Sequence, residues 1–409
     1  MTRPLTGGGT LLLAGVAGTA IANNYALQPA LTTVAADLGA PLSVVALVPT
    51  AALTGCMTGF ALLLPLTDRV APHRLVTAML TALAAALALG AAAPGAGVLL
   101  TAYLFIGAGA GVAAQASNIA GRHAPPGRRG SGVAAVSAGM SAGILLGRLA
   151  GGALTDLFGW RRMLLVLAAL ALLGALASWR LLPRERPAAD RGYGAALAAL
   201  PPLLSRFPEL RRAVVTGGLW YLAFNLTWVT LALALAGPPY SLGPGAIGLY
   251  SLAGLLGFAV LPVTGRLVDR YAPPKVIAAG VLTAAAGAAL LATGLGTPPV
   301  TAAGLALLDA GCFAAQAANL SGVIALAPTV SGGLTSVYLV LYFSVGAVGT
   351  ALAAPLLDAV GWHGVCLVCC LSLLLAVVLG RGGGRTGARP TRGDTVSGGG
   401  RHPLSRVPE

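Results

Sequence analysis

Long apolar runs separated by short polar turns fill the first 380 residues of the chain. Twelve runs can be counted, at roughly 10–36, 43–66, 75–93, 98–120, 131–154, 163–182, 213–236, 245–266, 276–296, 300–325, 333–356 and 364–380. A bilayer core about 30 Å thick is crossed by about 20 helical residues at ~1.5 Å each. Turn signals such as APHR, PGAG, HAPPGRRG, GPPYSLGPG, APPK, GTPP and APTVSGG lie between the runs. Ala and Leu dominate inside them, and both favour helix. Within lipid, only a helix satisfies its own backbone groups segment by segment. The alternating ten-residue segments of a membrane β-barrel are absent. The pattern therefore predicts an all-α polytopic membrane protein with twelve transmembrane helices.

Composition agrees with that reading. Of the 409 residues 57% are hydrophobic and only 9% are charged, whereas a soluble domain carries roughly 25% charged residues. Most of the surface is thus expected to face lipid. The net charge of +14 would suggest nucleic acid in a soluble protein, but here it reads as arginines crowding one set of loops. With the N-terminus in the cytoplasm, all basic residues except Arg148, Arg161 and Arg162 fall on the cytoplasmic side. The positive-inside rule then places both termini in the cytoplasm of a cell-membrane protein. The apolar run after Arg3 reads as the first membrane helix, because the following runs are equally apolar. Cys56, Cys312, Cys366, Cys369 and Cys370 all lie in apolar runs. They read as small buried hydrophobes, with no metal or redox site.

An internal repeat runs through the chain. GRLVDRYAPPK (265–275) has a worn copy in LPLTDRVAPHR (64–74), so Asp68-Arg69 and Asp269-Arg270 recur at an interval of 201 residues. AAQASN (113–118) and AAQAAN (314–319) share that interval, as do Asn24 and Asn225. DLFGW (156–160) returns as DAVGW (358–362), shifted by 202. Four matches in one order predict two six-helix halves of common plan. The expected division is 1–182 for the first half, 183–212 for an Arg- and Pro-rich cytoplasmic linker, and 213–380 for the second half. The Gly- and Arg-rich residues 381–409 are expected to form a disordered basic tail.

These residues carry a resemblance to the major facilitator superfamily of secondary transporters, over about residues 10–380. Gly265, Leu267, Asp269 and Arg270 match the family's signature turn, and the first copy keeps Leu66, Asp68 and Arg69. GILLGRLAGG (143–152) is similar to the helix 5 signature of the twelve-helix drug/proton antiporter branch. Gly143, Gly147, Gly151 and Gly152 match it, while Arg148 stands where that branch has Pro. The resemblance implies two halves rocking around a central site, with a monomer as the usual state. It also implies a conformational latch at Asp68, Arg69, Asp269 and Arg270. The physics suits a latch. An Asp can meet the positive end of a helix from the other half, and contacts made in one conformation alone set a population balance. The Gly143, Gly147, Gly151 stripe is expected to let helix 5 slide against a helix of the other half.

Two ionisable residues lie deep in apolar runs, where each costs about 2.5–3.5 kcal/mol on insertion scales. Arg148 sits roughly 12 Å, and Asp309 roughly 13 Å, from the outer end of its helix at ~1.5 Å per residue. Their depths agree although they belong to different halves. Asp309 is read as a candidate proton carrier, because burial favours the protonated form of a carboxyl. The alternative is a static buried pair with Arg148, or a separate partner for each.

Milder polar residues fall on single helix faces at three- or four-residue spacing. They are Asn24 and Gln28; Gln115 and Asn118; Tyr221, Asn225 and Trp228; and Gln316 and Asn319. The resemblance implies that these four helices line a central cavity; interhelical packing bonds are the plainer alternative. A cavity of amides and aromatics suits a mostly apolar organic substrate. The four histidines lie in loops or the tail, and no triad, metal cluster or cofactor motif is present. An enzyme is therefore not expected. The expected partners are the bilayer, protons and a small molecule, with no nucleic acid. Proton-coupled efflux is the first functional expectation and import by proton symport the second.

Overall fold

The computed structural model describes residues 6–63, 66, 69–123, 129–184, 193–254, 270, 271, 273–327 and 331–381. The described residues form helices and no strand. Helix α1 spans Gly7–Tyr25, then continues through a 3-10 turn, Gln28–Ala30, into Leu31–Asp37. It is followed by α2 (Val48–Leu63), α3 (Pro72–Ala91), α4 (Ala96–His123), α5 (Arg129–Phe158) and α6 (Trp160–Leu181). Two short helices, Tyr193–Ala198 and Pro201–Arg206, occupy the linker. Helix α7 spans Pro208–Ala236, so it begins inside the segment expected to be linker. Helix α8 opens with Pro244–Leu249 and is described as far as residue 254. Helices α9 (Pro273–Leu291) and α10 (Pro298–Leu326) follow. The last helical stretch, Ser331–Arg381, breaks at Gly361 into α11 (331–360) and α12 (362–381). Ten described stretches are long and apolar enough to cross a membrane, and the final one holds both α11 and α12. The tail beyond residue 381 lies outside the described residues.

The DLFGW and DAVGW repeats do the same structural job. Gly159 (φ 81°) and Gly361 (φ 64°) take left-handed conformations that reverse the chain between α5 and α6, and between α11 and α12. The Trp that follows each Gly then ties down a neighbour. Trp160 Nε1 donates to Asp37 Oδ2 at 3.0 Å, and Trp362 Nε1 donates to the Leu291 carbonyl at 2.8 Å. Arg161 joins the first of these corners. Its Nη1 donates to the Ala91 and Ala93 carbonyls at 3.1 and 2.8 Å. Its Nη2 lies 3.2 Å from Asp37 Oδ2. A cation at the carbonyl end of α3 is the favourable arrangement for the helix dipole.

The glycine stripe of α5 has a different partner from the one expected. Added Cβ atoms at Gly143, Gly147 and Gly151 would strike the backbones of Gly18, Ala22 and Ala26 on α1. The stripe thus packs α1 and α5 together within the first six helices, and it is not a sliding surface against the second six. The four-residue period aligned the glycines on one face, but periodicity says nothing of what that face meets. Gly152 lies off the stripe and approaches Pro244 and Gly245 of α8.

At Gly147 an added Cβ would lie 2.5 Å from the Ala22 carbonyl oxygen, a backbone atom with little room to yield. Gly147→Ala should lower the thermal midpoint of the detergent-solubilised protein, at a cost of about 1–3 kcal/mol of overpacking. Gly97→Ala, where nothing lies within 4 Å, should leave it unchanged. The comparison is read by size-exclusion recovery after heating.

Candidate functional site

Arg148 and Asp309 are the deepest charges described, 1% and 0% exposed. They come from α5 and α10, on opposite sides of the pseudo-repeat, and they do not pair directly. Trp228 of α7 stands between them. Its Nε1 donates to Asp309 Oδ1 at 3.0 Å. The Arg148 guanidinium lies over the face of the same indole, 4.2 Å from the ring centroid. Tyr25 and Phe224 offer their rings at 4.7 and 5.5 Å. Arg148 Nε donates to Gln28 Oε1 at 2.9 Å. Pro29, which lacks an N–H, sits in the 3-10 turn that interrupts α1 there and brings Gln28 to the site.

The charges are only partly satisfied. Arg148 Nη1 and Nη2 and Asp309 Oδ2 have no hydrogen-bond partner among the described residues. Contacts between a cation and an aromatic face contribute about 0.5–2 kcal/mol each. They cannot replace the several kcal/mol of hydration lost by a buried ion. Opposite charge nearby must supply the rest, and Asp309 is the one buried acid among the described residues. Gly254 of α8 closes the other side of the carboxyl. A Cβ there would come within 2.6 Å of Asp309 Oδ2 and would strike Leu145 of α5. The absence of that Cβ lets three helices converge on the carboxyl.

The expected cavity residues divide into two groups. Gln28, Tyr221 and Trp228 converge on the charges or on the aromatic cluster beside them. Tyr221 shares a hydrogen bond with Tyr25 at 3.1 Å and stacks on Tyr342 at 4.0 Å. The others are largely engaged in packing bonds. Gln115 donates to the Leu63 carbonyl at 2.5 Å. Asn319 donates to the Ala213 carbonyl at 2.9 Å, and Gln316 accepts from Tyr338 at 2.6 Å. Asn225 bonds back to the Tyr221 carbonyl at 2.8 Å. Asn24 is buried beside Cys56, and Asn118 is half-buried. Phe224 shares the α7 face of Tyr221 and Trp228, so its spacing could have disclosed it. Nothing in the pattern marks Tyr25, Tyr342 or Gly254.

Two further seams join the first six helices to the last six. Along α5 and α8, Asp156 Oδ2 accepts the Gly245 backbone N–H at 2.9 Å, and Gly152 meets Pro244. Along α2 and α11, the Thr50 and Thr350 hydroxyls bond at 2.9 Å, and Phe60 meets Phe343 at 5.1 Å. Of the expected latch, Asp68 and Asp269 lie outside the described residues. Arg69 lies over the Tyr193 ring at 5.8 Å, and the exposed Arg270 over Tyr271 at 5.6 Å.

Trp228→Phe keeps a ring face for Arg148 and removes the donor to Asp309. It should cost about 1–3 kcal/mol of stability, the range for stranding a buried acceptor. In an Asp309→Asn background the same change should cost less, because the charged acceptor is gone. A thermal-unfolding double-mutant cycle measures the difference; equal costs in both backgrounds would show that the bond carries no energy.

A sequence model of the Major Facilitator Superfamily matches residues 13–350. A probable transporter of Streptomyces coelicolor is 34% identical over 374 residues, spanning 91% of this chain and 85% of its own. The putative uncharacterized transporter YgaY of Escherichia coli is 30% identical over 372 residues, 90% and 94% of the two chains. A multidrug resistance protein B homolog of Mycobacterium tuberculosis is 27% identical over 390 residues, 80% and 71% of the two. Among solved structures, the nucleoside transporter NupG superposes with a TM-score of 0.69 at 14% identity, covering 91% of this chain and 98% of its own. The human organic anion transporter MFSD10 covers the same shares, with a TM-score of 0.64 at 18% identity. With the family model matching most of the chain and the fold agreeing, the protein belongs to the Major Facilitator Superfamily of membrane-embedded transporters.

Proposed function

We propose that the protein is a proton-coupled secondary transporter that works by alternating access and exports a small, mostly apolar organic molecule. One observation carries the reading: a buried acid and a buried base, on helices of different halves, share one tryptophan and leave polar atoms unpartnered. A carboxyl there can hold a proton or stand charged opposite Arg148. Each state changes the electrostatic balance across the seam between the halves. Moving one charge across 100 mV yields about 2.3 kcal/mol, enough to drive accumulation or expulsion of a solute. The aromatic residues around Arg148, with few polar groups, suit an apolar organic substrate. Export is supported by the antiporter-like glycines of α5 and by the name of the M. tuberculosis relative. The arginine-rich turns support a cell-membrane location with both termini in the cytoplasm.

One observation favours the opposite direction. The unpartnered Nη atoms of Arg148 could receive an anionic solute when Asp309 is protonated, so that proton and solute would enter together. The two directions separate in one experiment. Wild type and Asp309→Asn, matched for membrane level, are expressed in a bacterium stripped of its own efflux pumps. Growth is compared across lipophilic cations, antibiotics and neutral hydrophobic compounds. The wild type should confer resistance at least several-fold above the variant. Resistance equal in both would remove Asp309 as proton carrier. Sensitisation by the wild type would favour import.

A further inference from the structure

We propose that the terminal end of the first six helices binds the phosphate headgroup of an anionic phospholipid, in a cavity between α3 and α6. This site is separate from Arg148 and Asp309 and does not depend on the transport reading. The cavity measures about 600 Å³, and Arg69, Arg74, Arg184, His73 and Trp179 contribute to its lining. Three guanidiniums border one space, and the described residues of its lining include no acid. Arg74 and Arg184 make no ion pair among the described residues. Arg74 and Arg184 border the same cavity, so an anion seated there would be attracted by both. The start of α3 at Pro72 adds the positive end of a 20-residue helix to the same place.

The surroundings point to a lipid as the source of the anion. The His73 ring contacts both the Pro183 carbonyl, at 3.3 Å, and the Trp179 ring, at 5.0 Å. These contacts brace the start of α3 against the end of α6. Trp179 is nevertheless 45% exposed, at the level where tryptophans mark membrane–water interfaces. Leu172, Leu173 and Leu176 on α6 are exposed one and two turns deeper. A phosphate seated among the arginines would leave its acyl chains to run down this apolar face. A free phosphate ion would use the arginines and make no use of that face. Basic pockets between transmembrane helices on the cytoplasmic side are suited to anionic headgroups.

The test uses the full-length protein in a neutral detergent, titrated with phosphatidylglycerol, phosphatidylcholine or inorganic phosphate. Bound lipid is counted by native mass spectrometry. Wild type should prefer phosphatidylglycerol about tenfold or more. Each of Arg74→Gln and Arg184→Gln should reduce that preference about fivefold, near the contribution of one basic residue at a membrane surface. Arg385→Gln with Arg389→Gln in the tail should leave it intact. Equal binding of both lipids, or a preference that survives the Arg74/Arg184 double change, would overturn the site. Displacement of the lipid by millimolar phosphate would overturn the lipid assignment in favour of a free-phosphate site. If the double variant is not recovered folded, salt decides: the wild-type preference must fall as NaCl is raised, and a salt-independent preference contradicts the proposal.

Discussion

A guanidinium removed from water is the constraint around which the centre of this molecule is arranged. Arg148 is 1% exposed, and its side chain stays charged in any protein environment. Gln28 takes one N–H, and three aromatic rings take its faces. Those contacts account for its orientation but leave its charge to be balanced. The one buried acid, Asp309, lies beyond the indole of Trp228 and is held by that indole's N–H. Opposite charges on different halves thus act on each other through a shared ring. A direct ion pair would fix the halves more rigidly. The indole permits Asp309 to gain or lose a proton while Arg148 stays seated.

The helices that deliver these groups are held by two kinds of contact. Within the first six helices, α1 and α5 touch backbone to backbone through Gly143, Gly147 and Gly151, an arrangement that resists sliding. Between the two sets of six lie one carboxylate on a backbone N–H, a pair of threonine hydroxyls, a pair of tyrosine hydroxyls and aromatic edges, and Gly152 meets the α8 backbone. Small polar contacts can be broken and remade at modest cost, about 0.5–1.5 kcal/mol each. Polar contacts of this kind between halves are compatible with rigid-body rocking. The α5–α8 seam ends at Gly254 against Asp309, so this seam and the buried acid are in physical contact.

Much of the fold could be read from the chain. Apolar run length located the spans, and DLFGW with DAVGW marked two equivalent corners, each built on a left-handed glycine. The fixed rise per residue of a helix suggests similar depths for Arg148 and Asp309, and in the structure both reach the same Trp228. Partners were less legible. The α5 glycines were aligned by spacing, yet they meet α1, since a helical period defines a face and not its neighbour. The polar faces of α4 and α10 looked like a cavity lining, but Gln115, Gln316 and Asn319 bond to adjacent helices. An amide has the same hydrogen-bonding capacity toward a substrate and toward a carbonyl. Trp228 as the bridge between the charges was not legible, because tertiary packing alone brings α5, α7 and α10 together.

The most direct measurement is the protonation of Asp309 itself. Infrared difference spectra of the purified protein in lipid, recorded between acid and neutral pH, would report the C=O stretch of a buried carboxylic acid. A carboxyl band should grow as pH falls in the wild type and be missing from Asp309→Asn. Identical spectra for the two proteins would mean that Asp309 does not exchange protons, and would contradict the assignment of proton coupling to this site.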